Sequence, residues 1–191
     1  LLEIREIPID NHLQKYPVLV RKLHGGSERQ ASVNLEGEDT TVDRKIIEEL
    51  EGPVTALVQF FAEHSIQPPD RRKQNGKEPE GSIDIAVTRS GDDVIITLET
   101  DGRPLTDQFL DELSEEENQE CSLPPETQRT DDDVLSVMLA LGRSVAENPG
   151  DASGSELLSR VEKLRGTMNL TRNGADGIGV RLTVPRTQSV I

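Results

Sequence analysis

Between residues 82 and 99 the chain alternates apolar and polar side chains on both sides of a short turn, and that pattern demands a second layer. Ile83, Ile85 and Val87 share one face of a strand, because successive strand side chains point to opposite sides. Residues 94–99 form a second strand, and Ser90-Gly91-Asp92-Asp93 is the turn of a hairpin. An apolar sheet face needs a cover, and the preceding segment supplies one. Ile46, Ile47 and Leu50, followed by Leu57, Val58, Phe61 and Ala62, recur at helical spacing. Gly52-Pro53 interrupts this run, so two helices are expected, with Pro53 opening the second.

The remaining elements follow from the same periodicities. An amphipathic segment spans about 12–23 and is stopped by Gly25-Gly26, after which residues 31–35 read as a strand. Arg71-Arg72-Lys73, beside Pro68-Pro69, reads as a solvated loop. A helix is expected over 134–147, carrying Leu135, Met138, Leu139 and Leu141 and ended by Asn148-Pro149-Gly150. The next runs over 155–165, with Ser153 or Ser155 as cap, Leu157, Leu158, Val161 and Leu164 facing inward, and Gly166 as its stop. Residues 167–171 and 178–184 close the chain as strands. The inferred class is α+β: a two-layer α/β sandwich, with a mixed sheet covered by helices on one face.

Charge narrows the function classes. The chain has 36 acidic and 21 basic residues and a net charge of −15. That balance argues against nucleic acid, because no basic stripe interleaved with aromatics is present to neutralise phosphates. Residues 111–133 hold ten acidic side chains against Arg129 alone, and they read as a solvated loop. Its end, Asp131-Asp132-Asp133, complements the dipole of the helix that follows. Cys121 permits no internal disulfide, which fits a reducing cytoplasm. No apolar run approaches the ~18 residues needed to cross a bilayer, and no signal peptide is visible. The first residue is Leu1, so a piece of a longer protein is expected. His12, His24 and His64 are too scattered to suggest a metal set and read as packed or exposed residues.

The run EGEDTTVDRKIIEELEGPVTALVQFFAEHSIQPPDRRKQNGKEPEGSIDI resembles the start of the ATP-binding kinase domain of CheA-type chemotaxis histidine kinases. These belong to the gyrase/Hsp90/histidine-kinase/MutL superfamily. Upstream, IREIPIDNHLQKYPVLVRKL is similar to the segment linking that family's dimerisation helices to its ATPase domain. Downstream, VIITLETDGRPL, LLSRVEKLRGTMNL and GIGVRLTVP resemble its later strands and last helix. The resemblance implies a Bergerat-like histidine-kinase ATPase domain over 31–191. Residues 1–30 would be a linker and first helix following a missing dimerisation region, and about 106–133 an acidic lid-like loop. It further implies a cytoplasmic, dimeric full-length protein without membrane insertion. Its partners would be other domains of a CheA-like kinase, receptor-coupling or phosphoacceptor.

The family uses ATP and magnesium, held partly by a helical stripe: a catalytic histidine, a magnesium-binding asparagine four residues later, then an acid followed by histidine and glycine. Ala56, Phe60, Glu63, His64 and Ser65 hold those positions here. Alanine moves no proton, and phenylalanine has no lone pair for a cation that takes hard oxygen ligands. The family's Asp-x-Gly-x-Gly adenine turn corresponds to Thr100-Asp101-Gly102-Arg103-Pro104, where Gly102 alone matches. Thr100 is a weaker acceptor than a carboxylate, and strand alternation turns Asp101 the other way. The phosphate-cradling glycine loop is reduced to Gly150 or Gly154, with Asp151 adverse to an anion. Losing a metal ligand and the adenine acceptor at roughly 1.5–3 kcal/mol each weakens binding about 10²–10⁴-fold.

Phe60, Glu63, His64, Thr100, Gly102 and Gly154 are therefore expected to be vestigial nucleotide-site positions. No catalytic residue, metal or bound cofactor is expected. Phe60 reads as a plug in the nucleotide cavity, against the alternative of an ordinary core aromatic. The expected function is a structural or regulatory signalling module that has lost ATP and magnesium binding. The alternative is an active ATP-dependent histidine autokinase, with Glu63 holding magnesium and Thr100 reading adenine. A binding module for another small ligand is a third reading.

Overall fold

The computed structural model describes residues 5–116, 123–143, 153–171 and 177–186, so Cys121, the expected helix stop Asn148-Pro149-Gly150 and Asp151 lie outside the described residues. At the start, β1 (Glu6–Pro8) pairs antiparallel with β3 (Thr41–Asp43). Periodicity misses this ribbon because each strand is three residues long. Between them lie α1 (Asp10–Leu13), α2 (Lys15–His24) and β2 (Ala31–Glu36), so the single segment expected over 12–23 is two helices. Ile9, Leu13, Tyr16 and Val20 are buried and join the main core. Burial pushes the Tyr16 hydroxyl up to about 12, although Thr55 bonds it at 3.3 Å.

The expected hairpin is formed by β4 (Gly81–Ser90) and β5 (Asp93–Thr100), with Ser90 opposite Asp93. Gly91, the first residue of its two-residue turn, has φ 60°, which a glycine adopts without strain. β6 (Thr167–Thr171) and β7 (Ile178–Pro185) complete a mixed sheet in the order β2-β4-β5-β7-β6, parallel only between β2 and β4. One face carries buried Ile83, Ile85, Val87, Val94, Ile96, Leu98, Val180, Leu182 and Val184. The other presents exposed Asp84, Glu99 and Arg181.

The apolar face shares one core with helices, chiefly α3 (Arg44–Phe60). The expected break at Gly52-Pro53 does not occur. Pro53 has no amide for the carbonyl one turn earlier, which would interrupt an isolated helix. Ile46, Leu50, Val54 and Leu57 are nevertheless buried in the same core on both sides of the proline, and packing overrides the local preference. Asp43 caps the start by accepting the Lys45 amide at 2.8 Å.

Two solvated-loop readings are corrected. Pro68-Pro69 begins α4 (Pro69–Gln74), and within Arg71-Arg72-Lys73 the middle residue is 1% exposed while its neighbours face solvent. The start of the acidic interval lies in α5 (Asp107–Glu116), a helix that buries Phe109, Leu110 and Leu113. Its charge is offset from outside the helix. The Arg103 guanidinium lies 4.2 Å over the Phe109 ring and pairs with Glu112 at 2.6 Å, holding that carboxyl below its usual range. Arg129 pairs with Asp111 at 2.5 Å and Asp107 at 3.6 Å.

The remaining helices are α6 (Asp131–Arg143) and α7 (Gly154–Lys163). α6 begins three residues before the expected start, because Thr130 and Asp133 form a reciprocal cap: each side chain accepts the other's amide, at 3.2 and 2.9 Å. α6 crosses α3 in backbone contact at Gly142. A Cβ there would stand 1.8 Å from the Ala56 carbonyl oxygen and 2.6 Å from its carbon. Neither helix can yield locally, so Gly142→Ala is expected to cost about 3 kcal/mol in urea unfolding. A loss below ~1 kcal/mol would mean that the crossing is looser than described.

Glu6 ties β1 to the end of the sheet. Arg186 Nε donates to its carboxylate at 2.5 Å, Thr41 donates at 3.3 Å, and Arg89 lies 3.7 Å away. These contacts, Arg186 foremost, hold the Glu6 carboxyl below its usual range. A lowered folded pKa gives stability that is present above the unfolded value, about 4.3, and is lost as pH falls through the folded one. The stability gap between the native chain and Glu6→Gln is therefore expected to close on acidification through that window. A gap unchanged down to full protonation would contradict the pairing.

Candidate functional site

Of the sequence-predicted positions, Phe60, Glu63 and His64 lie where α3 ends, and Gly102 packs against the same turn. The chain continues past Phe60 as a π-helical turn, Phe61–Ser65, with the Ile66 amide bonding the Phe61 carbonyl at 2.9 Å. A π turn holds more residues than an α turn, so side chains beyond Phe61 leave the positions that a 100° count assigns. His64, not Glu63, is seated on Phe60: the rings stack with centroids 5.3 Å apart and planes at 26°. Phe61 meets Phe60 edge-on at 6.3 Å. Glu63 is half-buried and feels the Arg29 charge. Burial raises its carboxyl, and Arg29 partly opposes the rise.

Phe60 is fully buried, and Ala56 is 2% exposed beneath the α6 crossing. Thr100, on the inward face of β5, is 4% exposed, and its hydroxyl accepts the Gly102 amide at 3.2 Å. Gly102 itself packs on the π turn, where a Cβ would stand 2.5 Å from both the carbonyl and hydroxyl oxygens of Ser65. The Arg103 amide donates to the Ser65 carbonyl at 2.8 Å, and the Ser65 hydroxyl returns a bond to the Arg103 carbonyl at 3.2 Å. The turn after β5 is thus knitted to the end of the α3 extension.

Asp101 follows the end of β5 and turns to partners other than those of Thr100. Its carboxylate accepts the Ser82 amide and Arg72, both at 2.8 Å. Arg72 also donates to the carbonyls of Glu78, Glu80 and Asp101, and Lys77 donates to those of Asp101 and Gly102 at 2.7 and 2.9 Å. Sequence reading missed these two bases. They sit in a polar run without periodicity, and the partners that they share at Asp101 and Gly102 are more than twenty residues away.

Gly154 is brought to a different contact. It opens α7 against α6, where a Cβ would stand 2.1 Å from the Ser136 carbonyl oxygen. The helix start is occupied by its own side chains: Ser153 accepts the Glu156 amide at 3.3 Å, and the Glu156 carboxylate accepts the Ser153 amide at 2.9 Å. A carboxylate at this end competes with any anion.

Three hollows elsewhere are lined by none of the six positions. One of about 30 Å³ lies among Ile9, Tyr16, Ile46, Val54 and Ile96. One of about 500 Å³ opens on the uncovered sheet face near Asn34, Asp84 and Glu99, and one of about 690 Å³ runs between α2 and β2. Among the described residues, no group of three or more His, Cys, Asp or Glu converges on a point, and no helix is long and apolar enough to cross a membrane. His24 instead donates to the Ala62 carbonyl at 2.7 Å.

Solved structures define the class to which this architecture belongs. The chain superposes on the catalytic domain of histidine kinase ThkA with a TM-score of 0.57 at 14% identity, covering 98% of this chain and 100% of that one. With the histidine kinase domain of the Erythrobacter litoralis EL346 blue-light activated kinase the TM-score is 0.54 at 14% identity, covering 94% and 62%. The fold is that of the histidine-kinase ATPase domain, a mixed five-stranded sheet packed against helices.

Sequence similarity then carries the assignment further. The chain is 26% identical over 196 residues to the chemotaxis protein CheA of Listeria innocua, covering 100% of this chain and 32% of that protein. The CheA of Salmonella typhimurium is also 26% identical, with 100% and 29% covered. No family model matches the chain. The chain is a CheA-type ATPase-domain homologue, and it spans about a third of the length of the curated relatives it matches.

Proposed function

We propose that this domain no longer binds ATP or magnesium and serves as a structural or regulatory module of a CheA-type signalling protein. The observation that carries the reading is the burial of Ala56, Phe60 and Thr100 together, at 2%, 0% and 4% exposure. In the family these positions present a catalytic group, a metal ligand and an adenine acceptor to the nucleotide. Here a methyl group, a hydrocarbon ring and a hydroxyl bonded within its own turn stand in for them. A magnesium nucleotide does not fit that set, because nothing at Phe60 offers the oxygen that the cation requires. The capped start of α7, with the Glu156 carboxylate, supports the same reading for the phosphates.

An autokinase with substituted ligands is less well supported. Glu63 would have to hold magnesium as a carboxylate, yet burial raises its pKa and favours the neutral form. Thr100 would have to read adenine with a hydroxyl that already accepts the Gly102 amide.

The module would act through the other domains of the longer protein, receptor-coupling or phosphoacceptor, in a cytoplasmic dimer. Isothermal titration with ATP and magnesium checks the central claim. Heats no larger than dilution are expected up to millimolar nucleotide, and saturable micromolar binding would overturn it.

A further inference from the structure

We propose that the outer edge of β2, with the facing side of α2, binds an extended acidic segment of a partner protein that adds to the sheet as a further strand. β2 ends the strand order and bonds to β4 on one side only, so among the described residues no strand pairs with its outer edge. An open edge is a template for pairing, and proteins usually blunt one with Lys, Pro or a bulge. Ala31-Ser32-Val33 carries no such residue.

The groove of about 690 Å³ lies along this stretch and is walled by Pro17, Arg21 and His24 of α2. Their spacing of four and then three residues places them on one helical face. Arg21, His24 and Arg29 line the groove with a single acid, Glu80, in a chain whose net charge is −15. Such a local excess of base selects an acidic occupant. Arg29 supplies a second, independent sign: its Nε is shielded from solvent and has no hydrogen-bond partner among the described residues. In strand addition the backbone bonds supply affinity, and every second side chain faces the wall, so a segment of alternating acidic and apolar residues fits best.

The test uses the whole chain and a capped peptide of alternating Glu and Val, about eight residues long. Backbone amide exchange at residues 31–36 is expected to slow on binding. By fluorescence anisotropy, Arg21→Glu is expected to weaken affinity about tenfold, as is Arg29→Gln. N-methylation of alternate peptide amides is expected to abolish it. Arg21 is exposed, so its replacement leaves the fold intact, which circular dichroism verifies. Equal affinity for a Lys-Val peptide, or binding without protection of the β2 amides, would sink the proposal. Protection that rises with protein concentration in the absence of peptide would assign the edge to a second copy instead.

Discussion

Replacing Arg72 with methionine is expected to remove about 3–5 kcal/mol of unfolding free energy, read by urea denaturation at neutral pH. Its guanidinium is 1% exposed and gives bonds to the Glu78 carbonyl at 2.7 Å, the Glu80 and Asp101 carbonyls at 3.3 Å, and the Asp101 carboxylate at 2.8 Å. Asp101 is 43% exposed and can regain water, so the cost falls mainly on the carbonyls left without their donor. Domains of this kind hold only about 5–15 kcal/mol in total, and the loss would bring the chain near its limit. Arg72→Lys keeps the charge but not the planar fork, and is expected to recover roughly half of the stability. A loss under ~1 kcal/mol for the methionine variant would show that the group behaves as an ordinary surface base.

Phe60→Ala is expected to cost about 3–5 kcal/mol, because a fully buried ring stacked on His64 and edge-on to Phe61 leaves a void that rigid helices cannot close. Phe60→Asn adds an amide that lacks assured partners and is expected to cost at least as much. Combined with Thr100→Asp, it introduces the amide and the carboxylate that the resemblance would place at these two positions. A ligand that binds the native state raises its melting temperature in proportion to the logarithm of its excess over Kd. Millimolar ATP with magnesium is expected to leave the double variant's melting temperature unchanged, since Ala56 remains covered by α6 and the start of α7 keeps its own cap. A clear upward shift would mean that the cavity survives behind the ring, and the reading of a protein-filled site would fail.

Much of the scaffold was legible because its signals are local. The β4–β5 hairpin announced itself through period-two alternation and Gly91, and β6, β7 and a serine cap for α7, at Ser153 or Ser155, through the same short-range rules. The residue types at the expected site positions were legible: Ala56 and Phe60 carry no polar side-chain atom and Thr100 carries only a hydroxyl, wherever they point. Two misreadings came from applying local rules to positions held by distant contacts. Pro53 and Gly52 look like a helix break, but the core grips α3 on both sides of them. The start of the acidic interval looks like a solvated loop, but it belongs to a helix whose Phe109, Leu110 and Leu113 find a core, while Arg103 and Arg129 compensate the charge.

What could be read from residue order was the alternation, the helical stripes and the caps, since each depends on side chains within a few positions of one another. The fold alone settled that Arg72 is interior, that His64 rather than Glu63 covers Phe60, and that Gly102 and Gly154 serve backbone contacts with Ser65 and Ser136. Those outcomes rest on the π turn and on meetings between segments far apart in the chain. Neither leaves a periodic trace, because burial is a property of the assembled layers and not of any short stretch within them.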